Sequence, residues 1–219
     1  MAMNLNQEII ELLEKEGCKI WGFADLRNLP ASVHQGFDTG IVMGAAYTAK
    51  GMKENLEGNT DQFCIDSTST NEQLERFQKS VFNLLKEKKY KASIKYRNTF
   101  FSGGLSHKMV GTISGLGWIG KLAILTTKTF GPALRLTAVV TNAPLKCGKP
   151  ITKSMCPANC NACVDICPTK AIKGTLWETG IYRDVFFDVK ACGKGRKKRG
   201  MCGLCISVCP FAKKGLGYE

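Results

Sequence analysis

Eight of the chain's eleven cysteines fall in two runs within its last third, and no other feature restricts the fold as much. The first run reads Cys156-x3-Cys160-x2-Cys163-x3-Cys167-Pro168, and the second Cys192-x9-Cys202-x2-Cys205-x3-Cys209-Pro210. Closely spaced cysteines let one turn of backbone present several thiolates to a single inorganic cluster. The last cysteine of each run, on a short helix ended by proline, points the other way and ligates the neighbouring cluster, as in bacterial two-cluster ferredoxins. This logic predicts one 4Fe–4S cluster on Cys156, Cys160, Cys163 and Cys209, and a second on Cys167, Cys192, Cys202 and Cys205. Two structural zinc sites also take four cysteines each and are the competing reading. Zinc ribbons pair two C-x2-C knuckles across a longer loop, however, and have no need of a repeated terminal Cys-Pro. The interval between Cys156 and Cys160 is one residue longer than the usual x2, which alters the loop but not the ligand count. Cys18 and Cys64 fit no such spacing and read as small apolar residues. Cys147 also lies outside both runs, nine residues before the first ligand.

With 219 residues, 44% hydrophobic and 22% charged, the chain suits one large domain or a domain with an appendage, and a disordered or fibrous chain is excluded. Apolar stretches such as Ile41–Tyr47 are too short to span a bilayer, so no membrane is expected. No basic segment followed by an apolar one opens the chain, which reads as not exported. Many cysteines without an export signal point to metal in a reducing cytosol, and oxygen-labile clusters point to an anaerobic lineage.

The net charge of +13 is unevenly spread. Residues 1–100 carry 13 Lys and Arg against 13 Asp and Glu, whereas residues 101–219 carry 18 against 5. Between Glu87 and Asp165 run 77 residues without a carboxylate. A second basic cluster, Lys194, Arg196, Lys197, Lys198 and Arg199, is expected in a glycine-punctuated loop. Such a face serves as counter-charge for anionic clusters, or as a docking patch for an acidic electron donor such as ferredoxin or flavodoxin. Transfer RNA is the alternative partner, although no aromatic residues interleave with the cluster for base stacking.

The first 150 residues read as one mixed α/β unit. Leu5, Ile9, Leu12 and Leu13 fall at helical spacing, with Gly17 placed to end the helix. Lys19–Phe23, Ile41–Tyr47 and Lys91–Tyr96 are expected strands. The polar segment Asn59–Asn71 is expected to be a surface loop, with a second helix beginning near Asn71 and striped by Leu74, Phe77, Val81, Leu84 and Leu85. Ser106 caps a short helix that ends at Gly115 and Gly117. Leu122–Thr126 and Leu134–Thr141 are expected to form an antiparallel pair joined through Phe130-Gly131-Pro132.

A further motif, Ser114-Gly-Leu-Gly-Trp-Ile-Gly-Lys121, precedes the cysteine runs. It fails as a phosphate loop, because the helix comes before the glycines. Taken with Arg135–Leu145 and with Cys163-Val-Asp-Ile-Cys-Pro-Thr-Lys-Ala-Ile172, the arrangement resembles the epoxyqueuosine reductase family, which is related to the reductive dehalogenases. The resemblance is specific across residues 105–211 and weaker across 1–104. It implies an α+β protein: a nitroreductase-like α/β domain over residues 1–150 and a ferredoxin-like two-4Fe–4S module over residues 151–219. It also implies cobalamin held between the two, bordered by Trp118, Lys121 and Leu125 on one side and by Gly203 and Leu204 on the other. The family's proton-donating aspartate falls at Phe101, which cannot donate a proton. His107 and Lys108, at the start of the following helix, are the candidates to replace it. The family's C-terminal extension and its long insertion between the cysteines matching Cys192 and Cys202 are absent or short here, and those regions help hold transfer RNA.

Three functions follow from this reading. The first is an oxidoreductase that passes single electrons through two clusters to cobalamin for reduction of a small substrate. The second is a ferredoxin-type carrier whose α/β domain docks a partner enzyme, and the third is an RNA-binding iron–sulfur protein. The cluster assignment predicts close to eight iron and eight acid-labile sulfide per chain after anaerobic reconstitution. Stoichiometric zinc without sulfide would select the zinc reading instead.

Overall fold

The computed structural model describes residues 4–95 and 104–219, which divide into two compact units. The first comprises residues 1–45, 71–116 and 135–151, and the second residues 46–70, 117–134 and 152–219. Phe101 lies outside the described residues.

Helix α1 (Leu5–Lys15) opens the first unit, with the Asn4 side chain accepting from the Asn6 backbone N–H. Gly17, at φ 82°, takes the left-handed conformation that lets the chain leave the helix. Strand β1 (Ile20–Asp25) pairs antiparallel with β2 (Thr39–Ala46), and the turn of helix α2 (Ala31–His34) lies between them. Strand β3 (Ala92–Lys95) pairs antiparallel with a later strand, Leu134–Thr141, and the four make one sheet in the order β1, β2, Leu134–Thr141, β3. Side chains alternate across this sheet with period two. Phe23, Ile41, Met43 and Val139 join a core with Ile9 and Leu13 of α1 and with Leu74, Phe77, Val81 and Leu85. Ala24, Val42, Ala138 and Val140 join a second core with Val110, which lies on helix α5 (His107–Ile113). Apolar layers on both faces explain why β2 is buried at seven of its eight positions.

Leu74–Leu85 belong to helix α4, which spans Asp61–Glu87. The expected loop at Asn59–Asn71 is therefore helical from Asp61 onward. Its buried stripe continues upstream through Phe63, Asp66, Ser67 and Thr70, so most of the early buried positions are polar. The Thr70 hydroxyl donates to the Asp66 carbonyl at 2.8 Å, and the Asp66 carboxylate accepts from the Thr48 backbone N–H and hydroxyl at 2.8 and 2.7 Å. A stripe satisfied by hydrogen bonds leaves no hydrophobic periodicity to read.

In the second unit, Thr48 N-caps helix α3 (Ala49–Leu56) by accepting from the Gly51 N–H. The glycine–tryptophan motif forms a hairpin of β4 (Gly117–Ile119) with β5 (Leu125–Thr127), turning through Gly120–Ala123. Residues Leu122–Ile124 thus belong to the turn and its exit. The strand after the turn pairs with β4, not with β6 (Leu134–Thr141) as expected. The short helices α6 (Ala162–Asp165), α7 (Arg183–Phe186), α9 (Leu204–Ser207) and α10 (Pro210–Leu216) carry or flank the cysteines. Between α7 and α9 lies α8 (Val189–Arg199), capped by Asp188, so the expected basic loop is a helix. Its glycines, Gly193 and Gly195, are tolerated inside the helix, and four basic residues in its last turn complement the negative end of the helix dipole.

Four-residue helices expose too little apolar surface to build a core alone. Segments 46–70 and 117–134 supply the missing partners: Tyr47, Met52, Phe63 and Ala133 pack with Cys209, Ala212 and Tyr218. The Asn55 amide donates to the Ser207 hydroxyl at 2.8 Å, and the Tyr218 hydroxyl donates to the Ser207 carbonyl at 2.6 Å. Among the described residues no helix is long and apolar enough to cross a membrane.

Asp66 is 4% exposed and also accepts from Gln62 at 2.9 Å. Asp66→Ala strands the Thr48 donors and is expected to cost about 2–3 kcal/mol of stability, measured by denaturant unfolding.

Candidate metal centres

Cys156 and Cys160 sit in the loop before α6, Cys163 lies on α6, and Cys209 is the N-cap of α10 with Pro210 at its first position. The second Cys-Pro therefore starts a helix as well as following one, because proline is tolerated where the first N–H has no partner. These four thiols border one cavity, together with Lys121, Leu122 and Phe211. Its unfilled space is about 320 Å³, part of it open to solvent. Desolvation, with the adjoining Cys209, Cys156 and Cys160 acting in the same direction, pushes the Cys163 thiol up to about 12. Cys209 is pushed up to about 11 by burial, against backbone N–H donation from Ala212 and Phe211.

Two side chains from the hairpin reach the residues around this cavity. Trp118 is fully buried, and its indole N–H donates to the Cys156 sulfur at 3.5 Å. The Phe211 ring meets it edge-on, with centroids 5.1 Å apart. Lys121 is 2% exposed, and its ammonium donates to the carbonyls of Ala158 and Cys160, both at 2.9 Å. The long Cys156–Cys160 loop thus has two of its carbonyls turned onto a buried cation.

The remaining four cysteines form a second group. Cys192 lies on α8 and Cys205 on α9, with Cys202 just before α9 and Cys167 just after α6. Desolvation raises Cys205, and Cys202, Cys163, Cys192 and Cys167 raise it further, so the two groups adjoin through Cys163 and Cys205. Burial also raises Cys192, opposed by Arg196. Cys167 behaves differently: burial pushes its thiol up, but hydrogen bonds from Thr169, Ala171 and Ile172 outweigh it and hold the thiol low. The Ala171 N–H lies 3.3 Å from its sulfur.

Among the described residues no three His, Cys, Asp or Glu side chains are arranged to hold a single metal ion. Thiols spread around a cavity suit a cluster that brings its own bulk. Crowded thiolates repel one another, and a cationic iron–sulfide core reverses that penalty. N–H donors aimed at Cys156 and Cys167, with the Lys121 ammonium behind the loop, fit such a group.

The other sequence-derived candidates are placed as follows. Trp118, Lys121 and Leu125 are buried in the second unit, the first two against the first thiol group. Gly203 and Leu204 are also buried, and the ring of Phe63 lies over Gly203. His107 and Lys108 are half-buried at the start of α5 in the first unit. Cys147 belongs to the first unit, where its thiol donates to the Leu145 carbonyl. Nothing in the sequence marks Phe63 or Phe211 as neighbours of the cysteines, since each reads as an ordinary apolar residue.

No family model matches the chain. The epoxyqueuosine reductase of Bacillus cereus is 31% identical over 144 residues, which is 58% of this chain and 34% of that protein. Measured against curated relatives, the chain spans 22% to 39% of their length. A solved epoxyqueuosine reductase carrying an epoxyqueuosine-modified tRNA stem loop superposes with a TM-score of 0.63 at 18% identity, covering 95% of this chain and 65% of that one. A reductive dehalogenase whose structure suggests a mechanism for B12-dependent dehalogenation superposes at 0.64, with 18% identity, 95% of this chain and 32% of that one. The mixed helix-and-sheet fold resembles both.

Lys121→Met removes the donor for two inward carbonyls and is expected to cost about 2–4 kcal/mol. Thermal unfolding of the reconstituted protein should show the loss, accompanied by lower iron retention after gel filtration.

Proposed function

We propose that this chain, a relative of the epoxyqueuosine reductases and reductive dehalogenases, is an iron–sulfur oxidoreductase that moves single electrons through two 4Fe–4S clusters. One is held by Cys156, Cys160, Cys163 and Cys209, the other by Cys167, Cys192, Cys202 and Cys205. The observation that carries this reading is the gathering of eight thiols into two adjoining groups, the first around a cavity. When bound, the clusters supply one-electron transfer. The chain's own residues hold them: Trp118 and the Ala171 N–H donate to ligand sulfurs, which raises cluster potentials, and Lys121 offsets negative charge at the first site. In this reading residues 151–219 are a ferredoxin-like module resting on 46–70 and 117–134, and residues 1–150 contribute a nitroreductase-like α/β domain. The protein works in the reducing cytosol of an anaerobe.

Its electron donor is an acidic protein such as ferredoxin or flavodoxin. Helix α8 turns Lys190, Lys194, Lys197 and Lys198, all exposed, into a stripe at helical spacing. Arg199 differs, since its Nε and Nη2 are buried without a hydrogen-bond partner among the described residues. A second reading has the same stripe meeting RNA, favoured by the neighbour solved with a tRNA stem loop. Helix α8 contains no aromatic residue on which a base could stack, which favours the protein partner.

Replacing Lys194, Lys197 and Lys198 together by Gln should slow reduction by ferredoxin or flavodoxin about tenfold at low ionic strength. In stopped-flow traces the difference should fade above about 0.3 M salt. Unchanged reduction with weakened transfer RNA binding would favour the RNA reading.

A further inference from the structure

Cobalamin against Gly203 and Leu204 requires that their exposed faces be open to a flat macrocycle. In the second unit they are not. Gly203 is the N-cap of α9 with φ −122° and ψ 8°, a conformation open to any residue, so the backbone does not call for glycine there. Close approach does. A methyl group built on Gly203 would lie 2.5 Å from Cζ of Phe63, and 2.8 and 2.9 Å from its two Cε atoms. All three are rigid ring atoms that cannot swing aside as the end of a flexible side chain does.

Phe63 is itself locked. It is 3% exposed, and its ring stacks on Tyr47 with centroids 4.9 Å apart and planes 22° apart. The pair packs in the core that contains Met52, Cys209 and Tyr218. Leu204 is 9% exposed, and the far end of α9 is closed by the buried Asn55–Ser207 hydrogen bond. Admitting a corrin ring here would require taking apart the apolar core that supports the cysteine-bearing helices.

We infer that Phe63, stacked on Tyr47, fills the space left by the missing side chain of Gly203, and that this chain holds no resident corrinoid in that space. The glycine between Cys202 and Cys205 serves an internal aromatic contact. This inference rests on packing and not on the cluster assignment.

The experiment uses the full chain, reconstituted anaerobically, with iron and sulfide measured in every sample so that cluster loss is scored separately. Gly203→Ala, Phe63→Leu and the double variant are melted without corrinoid, and hydroxocobalamin is titrated into the wild type under reducing conditions. The expected result is a melting temperature lowered by about 5 °C or more in Gly203→Ala, with at least half of that loss recovered when Phe63→Leu is added. Hydroxocobalamin should neither co-elute with the wild type on gel filtration nor change its absorption beyond that of the free corrinoid. Stoichiometric corrinoid binding to the wild type, together with a Gly203→Ala variant that melts normally but no longer binds it, would overturn the inference.

Discussion

Eight thiols crowded into a unit with little apolar surface of its own form the constraint on which the rest depends. Each desolvated thiol raises the cost of ionising its neighbours, most plainly at Cys163 and Cys205. The helices that carry them, α6 and α9, have four residues each. Such pieces hold their geometry only when longer elements press on them. The chain meets this need with segments distant in sequence: α3 and the start of α4 on one side of the cysteine runs, the β4–β5 hairpin on another.

The first turns of α4 show how tightly these duties are combined. Asp66 fixes Thr48 at the start of α3, while Phe63, one turn earlier, lies against Gly203. The hairpin does similar double service. Trp118 donates to a cysteine sulfur and packs on Phe211, and Lys121 reaches two loop carbonyls from within the protein. A buried ammonium is tolerated because two backbone carbonyls accept its hydrogen bonds.

Charge distribution follows the same economy. The two proposed clusters, with eight thiolates and two oxidised cores, would carry about −4 in total, which leaves the chain basic against its +13. The excess on α8 is therefore free to meet a partner, and helical geometry converts a run of basic residues into an ordered stripe.

Local chemistry determined much of this from sequence alone. Repeated Cys-Pro runs single out eight of the eleven cysteines and predict how they group, since ligand spacing depends on a few adjacent residues. Gly17 ends a helix and Ser106 caps one for equally local reasons. Strand β2 was legible as a short continuous apolar run, the pattern of a strand buried on both faces. Tertiary structure alone decided the rest. The start of α4 escaped notice because its buried residues are polar and satisfied by partners such as Thr48, far from it in sequence. The glycine–tryptophan motif read as a helix terminus, which Gly115 supplies, but from Gly117 onward it is a hairpin whose strand partner follows a tight turn. Helix α8 read as a loop because Gly193 and Gly195 lower local helix propensity, a weak preference that tertiary context overrides. Gly203 invited a ligand because a missing side chain looks the same in sequence whether the space is filled by a cofactor or by Phe63. The approach of Phe63, 140 positions away, is visible only in the packing.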